Sequence, residues 1–204
     1  MNCDRIARWY RWLEYAGFGG ALQRARVSFL KDVADTKRAL VLGEGDGRFL
    51  VELVKASTSA SIDYVDLSER MLELARARAA AVTPGVVSFH RADALTIPLP
   101  DREYDLVTTH FFLDCLNESE AWKLVARVAD AARPDARWLV SEFRETGWLA
   151  PLIVRALYFF FRITTGLRTT RLVDHRPLLT KAGFRLARER SSHFGLLVSE
   201  LWVR

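Results

Sequence analysis

The clearest chemistry in the sequence lies in a glycine-rich loop, Gly43-Glu44-Gly45-Asp46-Gly47, which directly follows the apolar run at 39–42. Glycine lets the backbone turn tightly and approach a ligand, because it has no Cβ. A helix that begins after such a loop presents backbone N–H groups that favour a polar or anionic ligand. A turn between a strand and a helix favours glycine for structural reasons too, but three alternating glycines predict a ligand site.

The spacing of the glycines and of three later residues narrows the class of ligand that the loop could bind. The dinucleotide fingerprint G-x-G-x-x-G would place its third glycine at position 48, which is Arg48. Asp66 ends the next apolar run, about 20 residues beyond Gly47, where a carboxylate can accept hydrogen bonds from both ribose hydroxyls. Asp93 could accept from an adenine amino group while Ala94 contacts the ring edge, although Asp93 could also be a turn residue. The pattern favours an adenosine-containing ligand.

Apolar runs and amphipathic stretches alternate between residues 38 and 143, and they must position these side chains. The predicted strands lie at 39–42, 61–66, 86–90, 104–110 and 136–143, and the predicted helices at 49–56, 68–81 and 117–132. Ser68 is a predicted N-cap, and Asn117 with Glu120 resembles a capping box. Repeated strand–helix units predict a parallel sheet covered by helices on both faces.

The two ends of the chain differ from this central part. Helices are predicted at about 6–16, 21–33, 151–164 and 174–182, and strands at 184–191 and 194–203. The short connection between the last two strands predicts an antiparallel hairpin that closes one edge of the sheet.

With these motifs in place, the chain resembles the class I methyltransferases that use S-adenosylmethionine. YVDLSERML (64–72) is similar to the ribose-binding segment of that family, and RADALTIPLPDREYDLV (91–107) to its adenine-binding and fourth-strand segments. The resemblance implies an α/β fold: a Rossmann-like, seven-stranded, mostly parallel sheet with an antiparallel last strand and helices on both faces. It implies one domain, with an N-terminal helical cap (1–36), a cofactor-binding core (37–143), a helical cap insertion (144–183) and a C-terminal hairpin (184–204).

The resemblance also implies the cofactor, S-adenosyl-L-methionine, and the residues that bind it. These are Gly43, Glu44, Gly45, Gly47, Asp66, Leu67, Asp93, Ala94 and His110. Members of the family usually carry an acidic residue two positions before the first glycine of the loop, and this chain has Val41 there. We expect Glu44 or Asp46 to take over part of that polar role.

The segment THFFLDCL (109–116) follows the fourth predicted strand, where methyltransferases bring methyl group and acceptor together. Enzymes that methylate the exocyclic amines of nucleobases resemble one another here through an Asn/Asp-Pro-Pro-aromatic motif, which this segment lacks. The Pro-Cys pair of cytosine C5 chemistry is also missing, because Asp114 precedes Cys115. We therefore predict no nucleic-acid partner.

Two residues of this segment are candidate catalytic groups. His110 could act as a general base near neutral pH, or it could cap the strand or contact the cofactor. Asp114 lies four positions later, so on a helical turn it could orient His110 or contact the substrate; the alternative is a solvent-facing loop residue. Cys115 is predicted to be a small packed residue. Methyl transfer from a sulfonium needs mainly alignment, so modest help from a base suffices.

Aromatic and basic side chains in the predicted caps point to the acceptor. The helix near 148–167 is rich in aromatic residues, and Arg155 and Arg162 share one of its faces. Such a helix could lie at a membrane interface or line a tunnel for a hydrophobic substrate; a buried cap helix is the alternative. We predict methyl transfer to an oxygen or carbon atom of a small hydrophobic acceptor that is lipid-, quinone- or polyketide-like.

Composition sets further expectations. The charged fraction of 27% is typical of globular proteins and disfavours a disordered chain, and a net charge of +5 is weak evidence for an anionic partner. Cys3 and Cys115 form no disulfide framework, and isolated His175 and His193 predict no metal site. Because neither a signal peptide nor an uninterrupted spanning segment is evident, we expect a cytoplasmic protein, with peripheral contact at the inner face of a membrane as an option.

Two other classes of function stay open. A nicotinamide-dependent oxidoreductase is disfavoured by the missing third glycine and by the lack of a Tyr-x-x-x-Lys pair, since Arg162 follows Tyr158 at that spacing. A non-catalytic cofactor- or lipid-binding module with the same fold is favoured by Val41 at the usual acidic position.

Overall fold

The computed structural model describes residues 18–82, 87–100, 102–145 and 172–204, which form an α/β structure around one seven-stranded sheet. Its strands are β1 (Arg38–Leu42), β2 (Ser61–Asp66), β3 (Val87–Arg91), β4 (Tyr104–His110), β5 (Ala132–Phe143), β6 (Arg185–Ser192) and β7 (Leu197–Val203). Their order in the sheet is β3-β2-β1-β4-β5-β7-β6. Strands β1 to β5 pair in parallel, and β7 is antiparallel to both β5 and β6. The predicted fold class is confirmed.

Five α-helices accompany the strands in the described part of the chain. They are α1 (Ala21–Arg26), α2 (Arg48–Ala56), α3 (Glu69–Ala80), α4 (Glu118–Ala131) and α5 (His175–Lys181). Both predicted caps are confirmed: Ser68 Oγ accepts from the N–H of Met71, and Asn117 and Glu120 form a capping box. Short 3-10 helices lie at Leu30–Val33, before β1, and at Leu113–Cys115, after β4.

The prediction of one continuous helix at 21–33 is wrong, because α1 ends at Arg26. Ser28 Oγ donates to the carbonyl of Arg24, a local bond that competes with the helical pattern. Phe29 then turns inward and is buried. The chain continues through the 3-10 helix at Leu30–Val33 into β1.

The sheet separates two apolar cores. On one face α2 packs with residues such as Phe49 and Leu53 against Val41 of β1. On the other face α4 and α5 pack against Leu40, Leu42 and further residues that include Trp138 of β5. Because successive residues of a strand point to opposite faces, neighbouring positions at the end of one strand meet different partners. This alternation decides which side chains can cooperate at the site.

Two predicted elements lie outside the described residues: the N-terminal helix near 6–16, and the aromatic helix near 148–167 with Arg155 and Arg162. The division into a core, two caps and a hairpin stays a prediction. Within the described ranges, no helix is both long enough and apolar enough to span a bilayer.

Candidate functional site

The glycine-rich loop leaves β1 where the order of the sheet reverses, between β2 and β4, a position at which ligands bind in open α/β sheets. Gly43, Gly45 and Gly47 have φ of 60°, 92° and 81°, in the left-handed region that favours glycine. A Cβ at Gly43 would lie 2.2 Å from the Phe112 ring, and one at Gly47 would lie 2.6 Å from Cα of Ala75. A Cβ at Gly45 would meet nothing within 4 Å. The outer glycines are packed, and Gly45 leaves the loop surface open.

Glu44 is buried in this loop and supports its geometry. Oε1 accepts from the N–H of Phe49 at 3.1 Å, and Oε2 lies 2.9 Å from the Tyr64 hydroxyl, which also lies 2.9 Å from the carbonyl oxygen of Gly45. Burial raises the pKa of Glu44 to about 7, although the positive charge of Arg26 opposes this rise. The carboxyl group thus caps the start of α2 and fixes the turn around Gly45.

Asp46 is also buried and ties the loop to α3. Its carboxylate forms ion pairs with Arg48 Nε at 3.0 Å and Arg78 Nη1 at 2.7 Å, and Arg78 also donates to the Asp46 carbonyl. Because the side chains of Asp46 and Glu44 are both engaged within the protein, the structure does not support our expectation that either replaces the acidic residue in contacting a ligand. Val41 itself is fully buried in the core between β1 and α2.

The predicted ribose-binding residues follow β2. Asp66 Oδ1 accepts from the N–H of Ser68 at 2.8 Å, which fixes the carboxylate at the carboxyl end of the strand. Leu67 is 41% exposed, an unusual exposure for leucine among the described residues. A polar acceptor and an apolar surface therefore lie side by side, one strand away from the glycine loop.

The predicted adenine-binding residues follow β3, which pairs with β2. Asp93 is exposed, and its Oδ1 accepts from the N–H of Leu95 at 2.9 Å. Ala94 is buried, and its carbonyl accepts from Arg127 at 2.9 Å. The structure thus brings the loops after β1, β2 and β3 to one edge of the sheet.

His110 ends β4 and is 3% exposed. Its Nδ1 lies 3.0 Å from Ser141 Oγ, and its ring meets that of Phe49 edge-on at 4.4 Å. Burial, followed by repulsion from Arg26, lowers the pKa of His110 to about 3. The imidazole is therefore neutral at pH 7 and a weak base, so the geometry does not favour the predicted role of general base.

Arg26 is a component of the site that sequence analysis missed. It comes from α1, is 2% exposed, and places its guanidinium 5.2 Å from the centre of the Phe111 ring. The sequence feature that could have identified Arg26 is its position four residues after Leu22, on the buried stripe of the helix. Arginine is rarely buried at such a position unless it is paired.

A set of three aromatic rings lies beside His110, at the carboxyl ends of β4 and β5. The Phe143 ring is 5.5 Å from that of Phe18 and 5.1 Å from that of Phe111. Phe111 has φ of 55°, a strained conformation for a bulky residue, and its N–H donates to the Ser141 carbonyl at 2.7 Å. The three rings, which we call the aromatic wall, are partly buried and offer an apolar surface.

Asp114 is buried on the opposite face of the sheet from His110. Leu113 packs in the core with Val140 of β5, whereas the Phe49 ring beside His110 belongs to the other core. Among the described residues the hydrogen bond of His110 is to Ser141, so the prediction that Asp114 orients His110 is wrong. The physical reason is that the chain crosses the end of the sheet between these two residues.

Glu142 is the partner of Asp114, and sequence analysis missed it. Glu142 Oε1 accepts from the N–H groups of Phe112 at 3.2 Å and Leu113 at 2.9 Å, and its carboxyl is hydrogen-bonded to Asp114. Burial raises the pKa of Asp114 to about 6, and burial with the charge of Asp114 raises that of Glu142 well above its usual value. Two buried carboxyl groups in contact hold a proton between them.

Cys115 is packed, as predicted, with Sγ 3.7 Å from the carbonyl oxygen of Phe111. Across the described part of the chain, no group of three or more His, Cys, Asp or Glu side chains could hold a metal ion.

Residues 39–135 match a protein family described as "Methyltransferase domain". The chain is similar to two demethylmenaquinone methyltransferases: 33% identical over 128 residues to that of Thermus thermophilus (62% of this chain, 56% of the relative), and 31% over 112 residues to that of Deinococcus radiodurans (52% and 43%). It therefore spans about half the length of these relatives.

Among solved structures, the fold is similar to magnesium protoporphyrin IX methyltransferase from Synechocystis PCC 6803, determined with bound S-adenosylhomocysteine. The TM-score is 0.66 at 21% identity, with 93% of this chain and 84% of the other covered. At this identity the likeness concerns the fold.

Proposed function

We propose that the chain is a class I S-adenosylmethionine-dependent methyltransferase that transfers a methyl group from S-adenosylmethionine to an oxygen or carbon atom of a small hydrophobic acceptor. One observation carries this proposal. The open surface at Gly45, the carboxylate of Asp66 and the exposed side chain of Leu67 lie along one edge of the sheet, at the reversal of strand order. That arrangement fits an adenosine ligand.

The cofactor contributes a methyl group on a sulfonium, which is already an activated leaving group. The task of the protein is then alignment and exclusion of water. Asp66 would accept hydrogen bonds from the ribose hydroxyls, and Leu67 would pack against the nucleoside. Asp93 would accept from the adenine amino group, and Ala94 would border the ring. The loop of Gly43, Glu44, Gly45 and Gly47 supports the chain next to the sulfur end.

The aromatic wall supports the choice of a hydrophobic acceptor. Phe18, Phe111 and Phe143 form an apolar surface beside His110, at the strand ends where the methyl group would be presented. Flat aromatic surfaces suit a planar ring, and the matched relatives are named for the methylation of demethylmenaquinone. We propose a quinone-like acceptor first, with lipid- and polyketide-like acceptors as the wider class, and no nucleic-acid partner.

A hydroxyl or ring carbon that accepts a methyl group must also lose a proton. Neutral His110 is suited to hydrogen bonding rather than to removing that proton. Asp114, whose pKa is raised to about 6, titrates closer to neutral pH, so we propose that it takes up the proton indirectly, around the strand ends where the chain crosses from the face of His110 to the face of Asp114. Glu142 positions it and shares the proton.

The acceptor class bears on where the protein works. We propose that it acts in the cytoplasm and contacts the inner face of a membrane peripherally, because a quinone-like acceptor with an apolar tail would be found there. Co-sedimentation with anionic vesicles that contain a quinone tests this point, and a protein that stays in the supernatant would remove membrane contact from the proposal.

Calorimetric titration with S-adenosylmethionine, S-adenosylhomocysteine and NADH tests the cofactor. We expect both adenosyl ligands to bind, and Asp66→Ala to weaken them by about tenfold or more through loss of charged hydrogen bonds. Asp135→Ala, an exposed change at the amino end of β5, is the matched control.

Two outcomes would contradict the proposal. Binding of NADH alone would favour an oxidoreductase. Adenosyl binding without transfer to any acceptor would favour a non-catalytic module, a reading that the buried Val41 supports.

A further inference from the structure

The turn between β6 and β7 carries an apolar side chain that the proposed reaction does not use. Of the described residues, two large apolar side chains are exposed: Leu67, which belongs to the proposed cofactor site, and Phe194, which is fully exposed. We propose that residues 191–196, which we call the hairpin tip, insert into the surface of a lipid membrane through the ring of Phe194. The inference rests on the proposed function, since it names the surface that would contact the membrane in which a hydrophobic acceptor is dissolved.

The backbone of the hairpin tip is strained at the exposed ring. A single exposed apolar side chain is common on proteins, so exposure alone carries no proposal. Here Phe194 has φ of 55° and His193 has φ of 52°, and the N–H of Gly195 donates to the carbonyl of Ser192 at 3.2 Å. Hairpin turns with two consecutive positive φ values usually carry asparagine, aspartate or glycine there, because other side chains are strained. Since the ring of Phe194 is fully exposed, packing within the protein does not offset that strain.

The hairpin tip lies at the same end of the sheet as the candidate site. β7 is antiparallel to β5, and its first residue, Leu197, pairs with Phe143, the last residue of β5. Leu196 is buried and packs with Phe18 and Phe143 of the aromatic wall. Phe194 is therefore two residues along the chain from a side chain that contacts the wall. A protein bound through this tip would place the aromatic wall close to the membrane surface, where an acceptor with an apolar tail is available.

The charges near the hairpin tip are balanced, so the expected contact is apolar. Residues 191–197 contain no acidic side chain. The nearest carboxylates on the two strands are Glu189, which is paired with two arginines, and Glu200, which is buried. Exposed Arg190 on β6 and exposed Glu145 after β5 carry opposite charges. An aromatic ring among uncharged polar side chains suits the interface between lipid headgroups and acyl chains.

The size of the exposed surface favours a membrane over a protein partner. Specific protein interfaces bury about 1,200–2,000 Å² in total, which is far more than one ring on a tight turn can offer. A fluid lipid surface needs no complementary pocket, and insertion of a single aromatic side chain already gains free energy by removing apolar area from water. A protruding Phe194 therefore fits a lipid surface.

Vesicle flotation tests the proposal. The partition coefficients of the wild type, Phe194→Asn and Phe194→Leu are measured with phosphatidylcholine vesicles at rising lipid concentration. We expect Phe194→Asn to lower the coefficient about tenfold, as for the loss of one inserted aromatic side chain, and Phe194→Leu to keep it within about threefold. Because asparagine tolerates a positive φ, Phe194→Asn should also unfold at a higher temperature than the wild type, so misfolding would not explain its weaker binding.

A relocated ring is the control for general hydrophobicity. Asp135→Phe, added to Phe194→Asn, places a phenylalanine at an exposed position near the amino end of β5, away from the hairpin tip, and should not restore binding. Replacing part of the phosphatidylcholine by anionic phosphatidylglycerol, or adding salt, should change the wild-type coefficient by less than about threefold, because the contact is apolar.

Three outcomes would overturn the inference: a wild type that does not float with the vesicles, equal coefficients for the wild type and Phe194→Asn, or a dimer in lipid-free sedimentation velocity that Phe194→Asn abolishes. The last result would assign the hairpin tip to a second copy of the chain. Calorimetry with S-adenosylhomocysteine on the same samples separates this inference from the proposed function. Binding of that ligand without flotation would refute the membrane contact alone, and flotation without ligand binding would refute the proposed function.

Discussion

His175 of α5 and Glu200 of β7 form a buried pair, with Nε2 and Oε2 separated by 2.7 Å. The same carboxylate accepts from Trp202 Nε1 at 2.8 Å and from Arg176, and Arg144 reaches it from the end of β5. Glu200 thus joins α5, β5 and β7 through one buried anion. A buried charge with this many donors stabilises the fold only while it stays ionised.

The pH dependence of unfolding should therefore report on Glu200. Burial alone would raise the pKa of Glu200, but the hydrogen bonds from His175, Trp202 and Arg176 outweigh it and lower the pKa to about 2. The associated stability is full above the unfolded pKa of about 4.5 and is lost as the pH falls towards 2.

We expect urea unfolding to show a loss of about 3 kcal/mol across this window from this group. Glu200→Gln should flatten the dependence, whereas Glu73→Gln, in an exposed pair with Arg70, should leave it unchanged. An equally steep pH dependence in Glu200→Gln would refute the assignment.

Tyr64→Phe should affect both stability and cofactor binding. The change removes the hydroxyl that joins Glu44 to the carbonyl of Gly45, so a buried carboxyl group loses a partner. We expect the free energy of unfolding to fall by about 1–3 kcal/mol and S-adenosylhomocysteine to bind more weakly. Tyr104→Phe removes a similar bond, to Asp63, away from the loop, and should lower stability alone. Equal effects of the two changes on Kd would argue against a role of Glu44 in shaping the loop.

Substitutions of two glycines in the loop should distinguish an effect on packing from an effect on ligand access. Gly47→Ala places a methyl group against the backbone of Ala75 and should lower the free energy of unfolding by about 2–4 kcal/mol. Gly45→Ala meets open space, so only its left-handed φ costs stability, about 1–2 kcal/mol. Thermal unfolding and calorimetry together check this. Gly45→Ala should remain folded and bind the cofactor poorly, and full affinity in that variant would place the ligand elsewhere.

Asp114→Asn should alter the pH profile of methyl transfer. In the wild type, kcat measured with a reduced naphthoquinone acceptor should rise with pH through about 6, as Asp114 loses its proton. Asp114→Asn should lower kcat about a hundredfold or more and remove that rise. His110→Gln should keep the profile, because the imidazole is already neutral across this range. A profile centred near 6 that persists in Asp114→Asn would exclude Asp114 as the base.

Local patterns predicted most of the scaffold. Ser68 and Asn117 cap helices by bonding to residues at most three positions away, and β2 and β4 coincide with apolar runs. These caps and strands could therefore be identified from a short window of sequence. The loop at Gly45 and the carboxylate of Asp66 were found for the same reason. The parallel order of the strands then placed them at one edge.

The polar partners of the site could not be found in this way. Glu142 meets Asp114 across 28 residues of chain, and Arg26 reaches the end of β4 from a helix that precedes the sheet. Which face a strand-end residue occupies depends on the crossing of the chain at Phe111, where an aromatic residue adopts a positive φ against its usual preference. Tertiary packing sets that conformation, and no local sequence motif predicts it.

The place of β7 between β5 and β6 has a consequence for how the chain assembles during synthesis. The ribosome releases β6 before β7, so β6 leaves the exit tunnel without a neighbour to pair with, whereas β1, β2, β4 and β5 can already associate. Only when β7 emerges can it bond to β5 on one side and to β6 on the other. During synthesis β6 must therefore stay exposed to solvent and unpaired until β7 emerges. The arginine-rich sequence of β6 is compatible with that exposure.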